Sequence, residues 1–400
     1  MHIRANHLDA HAVVVDLGAA STSVVVTRPA DRGITVREFA QRYNADIAIN
    51  ANYFDVGLRP CGLSAGDGVI WPDAYRESCR MSMGFGDLNE AVAFDSEAVL
   101  RGPLPEDWMK HVVSGKPWLL RRGVIQGGWY DPPHIHRPHP RTAIGLSRDR
   151  NTLFILVADG RRPGLPGIDG EALAVLLADL GAYDALNLDG GGSSALFINS
   201  EGGIQNRPSN PLLRGVGNHL GVRINASAKW YGAELEGISK TPMLRPGDVA
   251  KLWVRYRNTG RFSWQPRGKH AITLASTSQE PNPFYLPGWV SVTAPVGLDH
   301  VVRSGETATF DFPIGAPAMM GNFLLEVSPM LSGMEPIAAV PTGWQVTVED
   351  AQAGLIEEVV AVEESDTDAP ERSMLASMTG GIESLLWHAK SWIARMPSLW

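Results

Sequence analysis

Tyr183-Asp184-Ala185-Leu186-Asn187-Leu188-Asp189-Gly190-Gly191-Gly192-Ser193-Ser194-Ala195-Leu196-Phe197-Ile198 is the stretch that decides the fold. An apolar, β-prone run ends on a carboxylate, crosses three glycines and two serines, and resumes as a second apolar run, so two strands flank a bend. Consecutive glycines weaken a folded chain, because each loses much backbone entropy and packs no side chain. They are expected where backbone N–H groups must approach a ligand, and a plain hairpin would need only two turn residues. The bend therefore reads as the floor of a site. Asp189 offers a carboxylate, Gly190, Gly191 and Gly192 offer amides, and Ser193 and Ser194 offer hydroxyls. A glycine-rich hairpin loop is the structural alternative.

Upstream, the Val-rich runs 12–17 and 21–27 are joined by Gly18-Ala19-Ala20 and read as a hairpin. Thr35-Val36-Arg37-Glu38 has capping-box spacing and predicts a short helix through Tyr43. Asp46-Ile47-Ala48-Ile49 predicts a buried strand that ends in Asn50-Ala51-Asn52-Tyr53-Phe54. Polar amides at that strand end are candidate ligands, and Asn52 capping a turn is the alternative. Short strands follow at 81–85, 91–94 and 116–120, then a proline-rich loop over 130–140. His134, His136 and His139 in that loop could ligate a divalent metal, but no carboxylate or cysteine sits among them, so no cofactor is expected.

Arg141 to Leu146 opens the next strand. The run 153–158, apolar throughout, predicts burial on both faces before Asp159-Gly160-Arg161. Asp169 caps a helix over 170–180, with Leu173, Leu176, Leu177 and Leu180 on one face. Glu171 in its first turn is either a dipole-stabilising acid or a second catalytic carboxylate. Asn206, Ser209 and Arg214 lie in polar turns before a closing strand near His219.

The chain has 400 residues, 44% apolar and 20% charged, which fits two or three globular domains. It shows neither a long apolar run nor a secretory leader pattern, and the compartment is left open. Seven acids between Glu357 and Glu371 carry most of the net charge of -8, and no basic stripe points to nucleic acid. Cys61 and Cys79 could be bridged or free. Past a linker at 226–242, strand patterns recur over 249–256, 271–275, 289–292, 306–312, 322–327 and 343–348, as in an antiparallel β-sandwich with Trp253 and Trp264 in its core. An acidic linker (349–372) leads to an apolar-faced helical tail (373–400), expected first to dock on the rest of the chain, with a partner protein, self-association or, less favoured by its weakly basic polar face, a membrane surface as alternatives.

Asn50-Ala51-Asn52-Tyr53-Phe54, Arg141-Thr142-Ala143-Ile144-Gly145, Ala158-Asp159-Gly160, the Asn187–Ser194 segment and Asn206-Arg207-Pro208-Ser209 occur in the order that marks the phosphodiester glycosidase family. The region 10–223 resembles that family, with Ala51 in place of glycine and Tyr53 in place of phenylalanine. Residues 243–348, with Asn258-Thr259-Gly260 and Trp264, resemble a tryptophan-containing Ig-like domain. The expected fold is an α+β catalytic domain (1–225, a mixed sheet with few helices), an all-β Ig-like sandwich (243–348) and a C-terminal amphipathic helix. The resemblance implies hydrolysis of a sugar-1-phosphodiester of the N-acetylglucosamine-1-phospho type. Asp189, Glu171 and Arg141 would be catalytic. Asn50, Asn52, Asp159, Gly190, Gly191, Gly192, Ser193, Ser194, Asn206, Ser209 and Arg214 would bind a sugar-phosphate or glycan substrate. A glycan-binding or adhesion protein using the same cavity is the non-enzymatic alternative. A serine hydrolase ranks lower, because Ala195 replaces the last glycine of a nucleophile elbow.

Overall fold

In the computed structural model, the run 153–158 is buried at every position and lies in the third strand of a seven-stranded sheet. The structure describes residues 1–350 except 6, 75–78, 97–102, 129–132 and 279. The sheet order is His2–Ala5, Leu8–Asp16, Thr152–Ala158, Arg141–Leu146, Asp184–Asn187, Trp118–Arg121 and Val124–Ile125. Its pairings are all antiparallel, so the expected mixed sheet is corrected. The cause is a skipped position. Thr152–Ala158, the helix Gly170–Asp179 and Asp184–Asn187 form a β-α-β unit, but Arg141–Leu146 lies between the two strands and pairs with both.

Two further antiparallel sheets complete the N-terminal region. One runs Gly203–Ile204, Leu196–Ile198, Ile47–Asn50, His219–Ile224, Thr22–Val26; the other runs Val69–Ile70, Ala65–Gly66, Met109–Gly115, Met81–Gly86, Ala91–Asp95. Residues from all three sheets meet in one core that includes Val15, Ile49, Phe85, Val113, Ile144, Ile155 and Leu220. The opposite face of the large sheet is covered by Leu173 and Leu177 of the Gly170–Asp179 helix, whose cap Asp169 accepts the Ala172 amide at 2.9 Å. The short helix Val36–Arg42 forms with the expected Thr35–Glu38 capping box.

The expected 12–27 hairpin does not form. Leu8–Asp16 and Thr22–Val26 belong to different sheets, and the chain turns a corner between them. Buried Asn89 holds that corner by donating through Nδ2 to the carbonyls of Leu17, Ala19 and Thr22 at 2.9, 3.2 and 3.0 Å. Cys61 and Cys79 are disulfide-bonded, with Cα atoms 5.6 Å apart.

Beyond residue 232, two sheets face one another around Leu252, Val254, Tyr256, Trp264, Phe310, Leu325 and Trp344. Three sequence expectations are corrected here. The supposed linker contributes an edge strand, Ala233–Ile238, paired with Val249–Asn258; its exposure leaves it little apolar alternation to betray it. Residues 289–292 form no strand, because Trp289 sits in a turn with its indole N–H on the Pro313 carbonyl at 2.7 Å. Trp253 points outward under Arg255, whose guanidinium is 5.0 Å from its ring, since Leu252 and Val254 occupy the inward positions of that strand.

This body is tied to the N-terminal region by side chains. Arg261 Nη1 donates to the carbonyls of Ala20 and Thr22 at 3.0 and 2.7 Å, and Trp230 Nε1 donates to that of Gly18 at 2.7 Å. The acidic stretch and the helical tail lie outside the described residues from 351 onward.

Candidate active site

Asn50, wholly buried at the end of Ile47–Asn50, fixes the glycine segment. Its Nδ2 donates to the Asp189 carbonyl at 2.6 Å, while its Oδ1 accepts Thr142 Oγ1 at 2.8 Å and the Ala195 amide at 3.2 Å. The Asp189 amide donates to the Ala51 carbonyl at 2.9 Å. The backbone of Asp189 is thus held from both directions, leaving its side chain to project, 14% exposed.

The glycines approach protein rather than ligand. A Cβ on Gly190 would stand 2.7 Å from the Pro140 carbonyl oxygen, and one on Gly192 would stand 2.6 Å from Asn210 Oδ1. Gly191 has φ +63°, and a Cβ there would meet the Arg161 guanidinium at 2.9 Å. The segment folds as a 3-10 turn, Gly191–Ser193, and three of its amides donate to protein carbonyls: Gly191 to Pro140, Ser193 to Gly190, and Ser194 to Gly191. With the Gly190 amide acting on Asp189, the expected anion nest spanning Gly190 to Ser194 is corrected for these four amides.

Burial pushes the Asp189 carboxyl up to about 6, against the lowering effects of the Ser193 hydroxyl, Arg214, the Gly190 amide and Arg161. Arg214 Nη2 lies 3.7 Å from Asp189 Oδ2, and both Nη2 and Nε (3.0 Å) of the same guanidinium reach Ser193 Oγ. Phe54 supports that guanidinium at 5.1 Å from its ring centre. Asp189 Oδ2, Asn187 Oδ1 and Ser194 Oγ are buried without a hydrogen-bond partner, as are His139 Nδ1 and Ser209 Oγ in the flanking loops. Buried polar atoms are ordinarily satisfied, so such a concentration in eight residues of chain leaves several polar groups open to water or to a polar ligand. Tyr53 contributes through its hydroxyl, which receives Asn187 Nδ2 at 2.7 Å and orients that amide.

Other nominated residues brace the site instead. Asn52 is filled by Asn218, Cys61, Ser64 and Ser114. Asp159, 1% exposed, accepts Asn206 Nδ2 at 3.0 Å and the Arg207 amide at 2.9 Å, while Asn206 Oδ1 takes the Leu196 amide at 2.8 Å. Four expected substrate ligands, Asn50, Asn52, Asp159 and Asn206, are therefore struts. Arg141 is corrected too. It is 1% exposed; its Nε donates to the Ile168 carbonyl, and its Nη2 to those of His134, Ile135 and Arg137, at 2.7 to 3.3 Å. Those donors are not free to form a fork on phosphate. Glu171 stands exposed in the first turn of its helix, outside the main groups acting on Asp189. His134 and His139 meet edge to face at 5.8 Å, and the three loop histidines form no metal-ligand group among the described residues.

Arg161 is the residue that sequence reading missed. It follows Asp159-Gly160 with a left-handed backbone, φ +58°, and its charge acts on Asp189. A basic residue just beyond a strand-end Asp-Gly pair was the available signal. Ser193 Oγ is engaged by Arg214 and by the Asp189 carboxyl, and among the described residues no histidine is hydrogen-bonded to it, so the serine-hydrolase reading finds no support.

Residues 43–223 match the family model described as phosphodiester glycosidase. The prophage-derived uncharacterized protein YomE of Bacillus subtilis is 29% identical over 198 residues, covering 47% of this chain and 29% of YomE. The match therefore spans less than a third of that relative's length. Among solved structures, the catalytic domain of zebrafish N-acetylglucosamine-1-phosphodiester alpha-N-acetylglucosaminidase, auto-inhibited by its pro-peptide, aligns with 22% identity and a TM-score of 0.41. That alignment covers 56% of this chain and 86% of the zebrafish domain. A hypothetical protein from Synechocystis aligns with 15% identity and a TM-score of 0.42, covering 56% and 61%.

Proposed function

We propose, on the premise that residues 43–223 are a phosphodiester glycosidase domain, that this protein hydrolyses the bond between a sugar's anomeric carbon and a phosphodiester, releasing free sugar and a phosphomonoester. The observation that carries the reading is Asp189: a secluded carboxyl with one unpartnered oxygen, poised near pH 6 between Arg214 and Arg161. In this mechanism the two guanidiniums face the single negative charge of the diester. The anomeric C–O bond breaks towards phosphate, positive charge develops on the ring, and the Asp189 carboxylate stabilises it while taking a proton from the attacking water. The leaving group is a phosphate with a second pKa near ~6, so no strong general acid is needed. This suits a site in which Glu171 is not among the main groups acting on Asp189, unlike the two-carboxylate arrangement of ordinary glycosidases. Asn187 Oδ1 and Ser194 Oγ take sugar hydroxyls. The sandwich, carried at the Arg261 junction, acts as an Ig-like module that positions a glycan-bearing partner.

The test is release of free sugar from N-acetylglucosamine-1-phospho-mannose and a panel of other sugar-1-phosphodiesters, beside Asp189→Asn. Release by the parent and a loss of at least about 100-fold in the variant are expected. Binding of the diesters with no release from any of them would replace this function by the glycan-binding one.

A further inference from the structure

We propose a second, metal-binding site on the edge hairpin of the large sheet, where His2, Asp9 and His11 hold a divalent transition-metal ion of the Zn²⁺ class. It is independent of the hydrolytic reading. His2–Ala5 pairs with Leu8–Asp16 so that His2 is directly opposite His11 and Arg4 is opposite Asp9. Alternation along a strand then places His2, Arg4, Asp9 and His11 on one face. The two imidazoles stack with ring centres 4.2 Å apart at 14°, and one ligand atom from each of His2, Asp9 and His11 lies within 4.8 Å of the other two. Among the described residues this is the one such group of three.

The hydrogen bonding at His2 is over-subscribed in a way a cation resolves. His2 Nε2 is 2.5 Å from Asp9 Oδ1, and Arg4 Nε points at the same Nε2 from 3.1 Å. One imidazole nitrogen cannot donate to Asp9 and accept from Arg4 together. If it accepts, two lone-pair atoms face each other at contact distance. A shared cation satisfies both.

Two imidazoles and a carboxylate form a familiar zinc donor set, with bonds of about 2.0–2.2 Å and water in the remaining position. Donor atoms would sit roughly 3.3 Å apart around such an ion, so small ring rotations close the site. Access is open, since the His2 side chain is 37% exposed. The charges facing the cluster are mixed. Asp159 acts favourably on His11, and its amide donates to the Asp9 carbonyl at 2.8 Å. Arg4 and the N-terminal amine oppose a cation; Arg4 is 67% exposed and can turn into solvent, while the amine is engaged by the Ala12 carbonyl at 2.8 Å.

Calorimetric titration of the metal-stripped full chain with Zn²⁺ tests the site. Saturable binding of one equivalent is expected, weakened at least roughly tenfold by His11→Gln and by Asp9→Asn. His7→Gln should bind as the parent does, because His7 lies outside the cluster with Nδ1 on the Gly164 carbonyl. Melting without metal checks that each variant is folded. On the unaltered protein, the paramagnetic resonance spectrum of bound Cu²⁺ should show two equatorial nitrogens. Absence of saturable Zn²⁺ binding at about 100 µM would overturn the site. Binding untouched by the double change His2→Gln/His11→Gln, or a nitrogen count other than two, would do so equally.

Discussion

Arg214 Nη2 stands 3.7 Å from Asp189 Oδ2, close enough to act on its charge but too far for a hydrogen bond, because Ser193 Oγ holds the same guanidinium. The carboxylate oxygen is left beside a cation yet without a donor. That separation leaves Asp189 Oδ2 open to a further partner.

Asp189→Asn should make the protein more stable while abolishing turnover. The folded carboxyl, at about 6, stands above its ordinary 3.8, so folding favours the protonated form. This contribution is full below pH ~4 and is lost as pH rises through ~6, leaving a buried ion at neutral pH. A pKa difference of one is worth ~1.4 kcal/mol, so removing the charge should raise the unfolding free energy at pH 7.5 by on the order of 2 kcal/mol. Urea denaturation of both forms measures this; equal stabilities would mean that Asp189 is not desolvated.

The rate of sugar release should rise with pH along a limb centred near 6, as Asp189 ionises into its working form. Arg214→Gln removes a charge that lowers the Asp189 pKa, so the limb should move to higher pH while KM for an anionic diester increases several-fold, about 3- to 30-fold. Profiles of kcat/KM against pH for the two proteins give both readouts. An unmoved limb would detach Arg214 from Asp189.

Arg141 and Glu171 should fail in opposite ways to catalytic residues. Arg141→Met strips donors from the carbonyls of His134, Arg137 and Ile168, and should destabilise the fold by about 3 kcal/mol or more, with KM preserved in whatever remains folded. Glu171→Gln should leave kcat/KM within about twofold, since a first-turn helix acid contributes only a few tenths of a kcal/mol. A large loss of kcat in the Glu171 variant would restore the second carboxylate.

Reduction of the Cys61–Cys79 bridge, which spans 18 residues, should lower stability by roughly 3 kcal/mol on chain-entropy grounds. Melting curves with and without a reductant, beside a Cys61→Ala/Cys79→Ala variant, measure it. The variant should melt where the reduced parent does.

Much of the fold was legible locally. The Thr35–Glu38 capping box, the Asp169 cap and the unbroken apolar run before Asp159 each write their outcome in adjacent residues, because caps and burial period are short-range effects. The strand order was not legible, since nothing in Arg141–Leu146 announces that it will slip between the two halves of a β-α-β unit. Ala233–Ile238, an exposed edge strand, carries almost no periodic signal.

The sequence by itself singled out the Asn187–Ser194 segment and its strand-end carboxylate Asp189, although its three glycines serve close packing against Pro140, Arg161 and Asn210 and not the approach of a ligand. Only the tertiary structure decided which polar side chains are taken up by protein partners and which are left open. An amide at a strand end looks alike whether it meets substrate or backbone, and the choice rests on partners far away in the chain. Asn50 finds Asp189 139 residues on, and Asn52 finds Asn218 across 166, so both are turned inward as braces. Asp189 Oδ2 meets no such partner, and burial without a donor sets its chemistry.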